Sequence, residues 1–135
     1  MILDTSGLLA YFNDREPAHD AAVEVIDGSD EALVVCPFVV AEVDYLVATR
    51  HGVDAELAVL RQLGSGAFEI PEITDDDIAK ATRIVERYRD QQIGVTDASL
   101  VVLAARYRTR RIVTLDRRHF TILKAPRNHP FDLLP

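Results

Sequence analysis

The chain opens Met1-Ile2-Leu3-Asp4-Thr5-Ser6-Gly7-Leu8-Leu9-Ala10-Tyr11-Phe12. Three apolar residues run into a carboxylate and two hydroxyls, and the apolar positions then take up helical spacing. The stretch reads as a short buried strand delivering Asp4 to its carboxyl end, with Thr5 or Ser6 capping the helix that follows. In an open α/β sheet that position faces the ligand crevice. An aspartate before a helix is also an ordinary cap, so the weight of Asp4 depends on whether other residues converge on it.

With 135 residues and a hydrophobic share of 48%, the chain suits one domain, 1–135, with one sizeable core. Its longest apolar run, Ala32 to Ala41, contains Pro37 and is too short to cross a bilayer. One cysteine excludes an internal disulfide and suits a reducing compartment, so a soluble cytoplasmic protein with no membrane partner is expected. The net charge of −7 argues against a nucleic-acid partner, but its distribution argues otherwise. From Arg106 to Arg127 eight basic residues stand against one acid, Asp116. A local basic face can engage phosphates on an acidic protein, because charge interactions are screened beyond about 10 Å. A solvated arginine-rich loop is the plainer alternative.

Strand-like and helix-like stretches alternate throughout, which predicts α/β architecture. An amphipathic stretch, Ala18 to Ile26, leads to a second strand, Leu33 to Cys36, where Cys36 reads as a small core residue. Pro37 then starts a helix through Phe38 to about His51, stopped by Gly52. Within it Glu42 shares a mostly apolar stripe with Phe38, Tyr45, Leu46 and Thr49, whereas Asp44 lies on another face and is expected to be more exposed. Asp54 is expected to cap a helix, Ala55 to Leu63, and Phe68-Glu69-Ile70 to form a third strand. Thr74 with Asp75-Asp76-Asp77 is a strong helix start, its acids complementing the dipole rather than binding metal. Thr96 or Asp97 is expected to cap the helix that carries Leu100 and Ala104. Arg111 to Leu115 makes a fourth strand running into Asp116, Thr121 to Leu123 a fifth, and Asn128 to Pro135 an irregular tail.

If the first and fourth strands are neighbours at the switch point of a parallel sheet, Asp4 and Asp116 emerge side by side. Right-handed crossovers place Glu42 and Asp97 on the same rim. Several carboxylates in one pocket repel, so their pKa values rise or a cation joins them. All-oxygen ligation suits Mg²⁺, with Mn²⁺ able to substitute, whereas His19, His51, His119 and His129 show no shared zinc spacing. No Walker-type glycine loop, GxGxxG or GxSxG is present, which leaves metal-assisted attack of water on a phosphate.

Leu3-Asp4-Thr5-Ser6, the Phe38-Val39-Val40-Ala41-Glu42-Val43 helix, Thr96-Asp97-Ala98 and Thr114-Leu115-Asp116-Arg117-Arg118-His119-Phe120 resemble the PIN-domain ribonucleases. Among these the sequence most resembles the VapC toxins of bacterial toxin–antitoxin pairs. The likeness covers nearly the whole chain in the order and spacing of its motifs. It implies a three-layer sandwich with a central parallel sheet of order 3-2-1-4-5 flanked by helices. Asp4, Glu42, Asp97 and Asp116 would be the catalytic, Mg²⁺-binding acids, with Thr5, Ser6, Thr96 and Thr114 supporting them. It also implies endonucleolytic cleavage of RNA (tRNA or ribosomal RNA), a homodimer, and a cognate VapB-type antitoxin. Arg117, Arg118, Arg111 and Lys124 are the candidates to bind RNA, and His119 is expected to anchor the turn after Asp116.

Two other functions compete. A phosphoryl-accepting regulatory domain also has an acidic Mg²⁺ pocket, but it wants an aspartate ending its middle strand and a lysine after its last. This chain ends the middle strand in chain order with Ile70-Pro71, and Lys124 comes late. A non-catalytic binding module has no need to hold four like charges together. Metal-dependent RNA cleavage separates both from the nuclease reading.

Overall fold

A computed structural model of the chain describes all 135 residues. Strand β1 (Ile2–Leu3) is followed by helices α1 (Thr5–Phe12) and α2 (His19–Asp27), then by β2 (Val34–Val35), α3 (Pro37–His51) and α4 (Val53–Leu63). The second half contains α5 (Asp75–Arg87), α6 (Val95–Arg106), β3 (Arg111–Val113), α7 (Arg117–Ile122) and β4 (Asp132–Leu134). All strand pairs are parallel, in the order β2-β1-β3-β4. Outside β2, Glu69 adds a single parallel bridge to Val34. Its carbonyl accepts from Val35 N–H at 2.9 Å, and its N–H donates to Leu33 at 2.8 Å. The expected third strand is thus one bridge at the sheet edge.

This order explains the layers. The chain moves outward on one side from β1 to β2, and then returns past β1 to β3 and β4. Right-handed crossovers put the two journeys on opposite faces, so α1 to α4 cover one face and α5 to α7 the other. The packing agrees: α1 meets α2 and α3, α3 meets α4, and α5 meets α6. The strands are short and buried on both sides, with Ile2, Leu3, Val34, Val35, Ile112 and Val113 fully enclosed. They belong to one hydrophobic cluster of 27 buried residues. Burying a leucine- or isoleucine-sized side chain stabilises by about 1.5–3 kcal/mol, so this centre holds the strand ends in place.

The carboxyl-terminal part departs from expectation. Thr121 and Ile122 lie in helix α7 rather than a fifth strand, and Leu123 follows it. Phe120 and Leu123 are both buried, at a spacing that a helix and a strand can each explain over so short a run. Asp116 decides between them, because its side chain accepts from Arg118 N–H and caps the helix. The fifth position of the sheet is taken instead by Asp132–Leu134, inside the tail expected to be irregular. An edge strand needs only one bonded side, and here three residues pair with Arg111–Val113.

Several caps also differ. Gly52, not Asp54, precedes α4, and Gly94, not Thr96 or Asp97, precedes α6. By backbone geometry Asp4 is the residue before α1, and neither Thr5 nor Ser6 makes a side-chain cap. The Thr74 start is a full capping box, with Asp77 returning a bond to the Thr74 N–H at 2.9 Å. On α3 the buried stripe is Val39, Val43 and Val47, so Glu42 is exposed and Asp44 half-buried, the reverse of the expected order. That helix is apolar nearly all round, and its partner α4 chooses the face.

Candidate active site

Register builds the site. Leu3 lies beside Val35 on one side and Val113 on the other, so the next residues outward, Asp4 and Thr114, emerge together. Asp4 N–H donates to the Val113 carbonyl at 3.0 Å, continuing the ladder by one bond. The Thr114 hydroxyl, fully buried, donates to Asp4 Oδ2 at 2.8 Å, and Ser6 Oγ donates to the same oxygen at 2.7 Å. Ser6 Oγ also accepts the backbone N–H groups of Leu115 at 2.9 Å and Asp116 at 3.3 Å. One serine therefore ties the first turn of α1 to the end of β3 and places Asp116 beside Asp4. Asp4 is 5% exposed, so these hydroxyls replace the water that a buried carboxylate gives up.

Glu42 comes from the second turn of α3 and Asp97 from the first turn of α6, on opposite faces of the sheet. They meet through hydroxyls. Thr5 Oγ1 donates to Glu42 Oε2 and Thr96 Oγ1 to Glu42 Oε1, both at 2.6 Å. Glu42 thus clamps the starts of α1 and α6 across the sheet edge. Asp97 Oδ2 is 2.7 Å from His119 Nδ1. Arg118, which can only donate, lies 3.2 Å from His119 Nε2, so Nε2 accepts and Nδ1 carries the proton offered to Asp97. His119 therefore orients an acid of the site, beyond the turn-anchoring role expected of it. No local motif announces that contact, because the partners are 22 residues apart.

Burial raises the Asp97 carboxyl above its ordinary range, the charge of Asp4 adds to that, His119 opposes it, and Asp116 adds a further rise. Asp4 and Asp116 are thus both close enough to act on Asp97. In the hydrogen bonding of the site, Asp4 Oδ1, Asp97 Oδ1 and Asp116 Oδ2 remain uncommitted, whereas both oxygens of Glu42 are engaged. No three of the carboxylates converge on a single point. They line an open rim, and none of them lines the larger clefts of the surface. An open rim admits a polymer. The oxygen-only donors and the unneutralised repulsion at Asp97 fit a hard divalent cation.

The basic candidates do not all gather here. Arg117 and Arg118 follow Asp116 directly, although Arg117 donates to the Pro135 carbonyl at 2.8 Å and Arg118 is turned to His119. Arg111 starts β3 at the opposite end of the sheet and pairs with Glu31, which also holds the chain's amino group at 3.2 Å. Lys124 lines a cleft beside α5 and α6, away from the acids.

A parallel α/β sheet with four carboxylates at its switch point suits the class of proteins that work on phosphates with a divalent cation. Comparison with known proteins narrows the class. The PIN domain family matches residues 1–125. Ribonuclease VapC26 of Mycobacterium tuberculosis (strain ATCC 25618 / H37Rv) is 59% identical over 135 residues, all of both chains. The crystal structure of Mycobacterium tuberculosis VapC20, a toxin that cleaves the sarcin-ricin loop, superposes with a TM-score of 0.79 at 19% identity, covering 86% of this chain and 89% of that one. The chain belongs to the PIN-domain family and, within it, to the VapC ribonucleases, the toxins of toxin–antitoxin pairs.

Proposed function

We propose that the whole chain is one PIN domain and cuts cellular RNA endonucleolytically with Mg²⁺, or Mn²⁺ in its place, at the Asp4, Glu42, Asp97 and Asp116 rim. The observation that carries this reading is that Asp4, Asp97 and Asp116 each leave a carboxylate oxygen uncommitted at one rim, where the charges of Asp4 and Asp116 both act on Asp97. Asp4, Asp97 and Asp116 would each offer an uncommitted oxygen along the rim, water completing the shell of an ion that no three of them reach together, and Glu42 would join through a carboxylate that already clamps Thr5 and Thr96. When bound, the cation supplies Lewis acidity at the phosphate and lowers the pKa of water. The chain does the rest by position. Ser6 and Thr114 fix Asp4, His119 fixes Asp97, and the Arg118 N–H fixes Asp116. Such preorganisation spares the site reorganisation during reaction.

The RNA is of the tRNA or ribosomal class, and the protein works as a homodimer held in check by a VapB-type antitoxin. Exposed Tyr45, Val53 and Leu57 on α3 and α4 offer apolar surface for a second copy. A cleft of about 410 Å³ floored by Leu9, Phe12, Leu46 and Val47 suits a peptide of the antitoxin. No helix is long and apolar enough to cross a membrane, and a cytoplasmic location follows from this reading.

The test is cleavage of bulk RNA by purified protein. Cutting should require Mg²⁺ or Mn²⁺, stop in excess chelator, and disappear in Asp97→Asn while the protein keeps its cooperative melt. Undiminished cutting by that variant, or cutting in chelator, would remove the rim from the reaction.

A further inference from the structure

The acids stand at the carboxyl ends of the strands, and an arginine-lined cavity lies at the other end. It measures about 930 Å³ and is lined by Arg108, Arg110, Arg111, Arg127, His129 and Glu31, among others. Only 2 of its 10 lining residues are hydrophobic, so it is not a gap left by imperfect core packing. Four arginines face one carboxylate in a protein whose net charge is −7. Arg111 is paired with Glu31, and Arg110 with Asp132 at 3.2 Å. Arg108 and Arg127 make no ion pair, and both hold left-handed backbone, with φ of 52° and 61°. Each of these conformations costs about 1 kcal/mol or more in a residue other than glycine. Both residues line the cavity, so the chain bears strain where it presents unpaired cations.

We propose that this cavity binds RNA phosphates, through Arg108 and Arg127, as a second contact remote from the cutting rim. The proposal rests on the ribonuclease reading above. From Arg111 to Asp116 the chain advances roughly 15 Å at about 3.3 Å per extended residue. A substrate touching both ends must therefore continue for several nucleotides past the scissile bond or fold around the sheet edge. RNA fits better than an acidic protein because the lining is almost wholly polar, with no apolar centre of the kind a protein interface buries, and the ribonuclease reading already supplies RNA as the polyanion. The pocket makes substrate choice depend on RNA shape as well as on the bases at the cut, which suits a chain with no base-reading motif.

The experiment measures binding of labelled bulk tRNA in an Asp97→Asn background, across a salt series, with and without Arg108→Asn plus Arg127→Asn. Asparagine tolerates left-handed backbone, so the double variant should fold, and its melting curve checks that it does. Losing two phosphate contacts should lower the slope of log K against log salt by about 1.5 to 2. The affinity lost between about 50 and 200 mM salt should become roughly tenfold smaller. Arg108→Lys plus Arg127→Lys should restore most of the slope, since a lysine also neutralises a phosphate.

An unchanged slope, while the parent enzyme still cuts RNA with Mg²⁺, overturns the pocket proposal and leaves the nuclease reading standing. A parent enzyme that cuts no RNA with any divalent ion overturns the nuclease reading, and the pocket proposal with it. Loss of polyglutamate binding with RNA binding intact would assign the pocket to an acidic protein and overturn the proposal too.

Discussion

Gly7 sits in the second position beyond Thr5 in α1, where a replacement by alanine should help on helix propensity alone, by about 1 kcal/mol. The structure predicts the opposite. A Cβ at Gly7 would stand 2.8 Å from the Val113 carbonyl carbon and 2.9 Å from Val113 Cγ1, and closer still to the carbonyl oxygen. Carbon atoms pack comfortably at about 3.5–4.0 Å, so α1 must retreat from β3 by roughly 1 Å. Overpacking of this kind costs about 1–3 kcal/mol, and a rigid backbone target puts Gly7→Ala near the top of that range. After the propensity gain, about 2 kcal/mol of net destabilisation remains. At about 2.1 cal/mol/K per residue, unfolding 135 residues carries an entropy of about 0.28 kcal/mol/K, so Tm should fall by about 7 °C.

The same retreat lengthens the bonds from Leu115 and Asp116 N–H to Ser6 Oγ and from Thr5 to Glu42. Two acids of the rim, Asp116 and Glu42, therefore lose part of the support that α1 gives them. Calorimetry, with RNA cleavage measured over a Mg²⁺ titration, checks both effects. Gly7→Ala should melt earlier and need more Mg²⁺ for half-maximal cutting. An unchanged or raised Tm with an unchanged Mg²⁺ requirement would show that α1 does not need contact with β3, and the account of how the rim is built would fail.

Asp97→Asn, besides abolishing cleavage, should raise Tm at neutral pH in chelator. A carboxyl whose folded pKa is raised disfavours the fold once ionised, so the gain should be full at neutral pH and vanish below the unfolded value of 3.8; a lower Tm at neutral pH would contradict it. Asp77→Ala should lower Tm by about 7 °C, from a lost capping box and Arg106 contact worth about 2 kcal/mol together. The Arg106 guanidinium holds the Asp77 carboxyl well below its usual range, so this stabilisation is present above pH 3.8 and lost as pH falls through the depressed value. Equal melting gaps at pH 7 and in strong acid would rule that origin out. Replacing both Arg117 and Arg118 by alanine should weaken RNA binding and lower its salt slope; an unchanged slope would leave them to their contacts with Pro135 and His119.

What could be read from the residues followed their periodicity. Apolar runs ending in Asp4 and Asp116 marked two strands of a parallel sheet, and the helices carrying Glu42 and Asp97 lay between them in the order the crossovers require. The Thr74 capping box was equally readable, because every partner lies within three residues. Asp97 was also visible as a first-turn acid, although the cap itself is Gly94. Two of the errors lie where a short element has two acceptable conformations. Phe120 to Leu123 and Asp132 to Leu134 each contain too few residues for a period to distinguish strand from helix.

By itself the sequence determined the class of fold, since that depends on patterns along the chain, and the same patterns singled out the four acids as candidates. Tertiary structure decided how the acids are held. Ser6 bridges to Leu115 and Asp116, Thr5 and Thr96 reach Glu42, and His119 meets Asp97, all across 22 to 110 residues of chain. Hydrogen bonds of that kind leave no local signature, because a hydroxyl or imidazole is compatible with almost any exposed turn. Only packing around β1 and β3 brings them within reach.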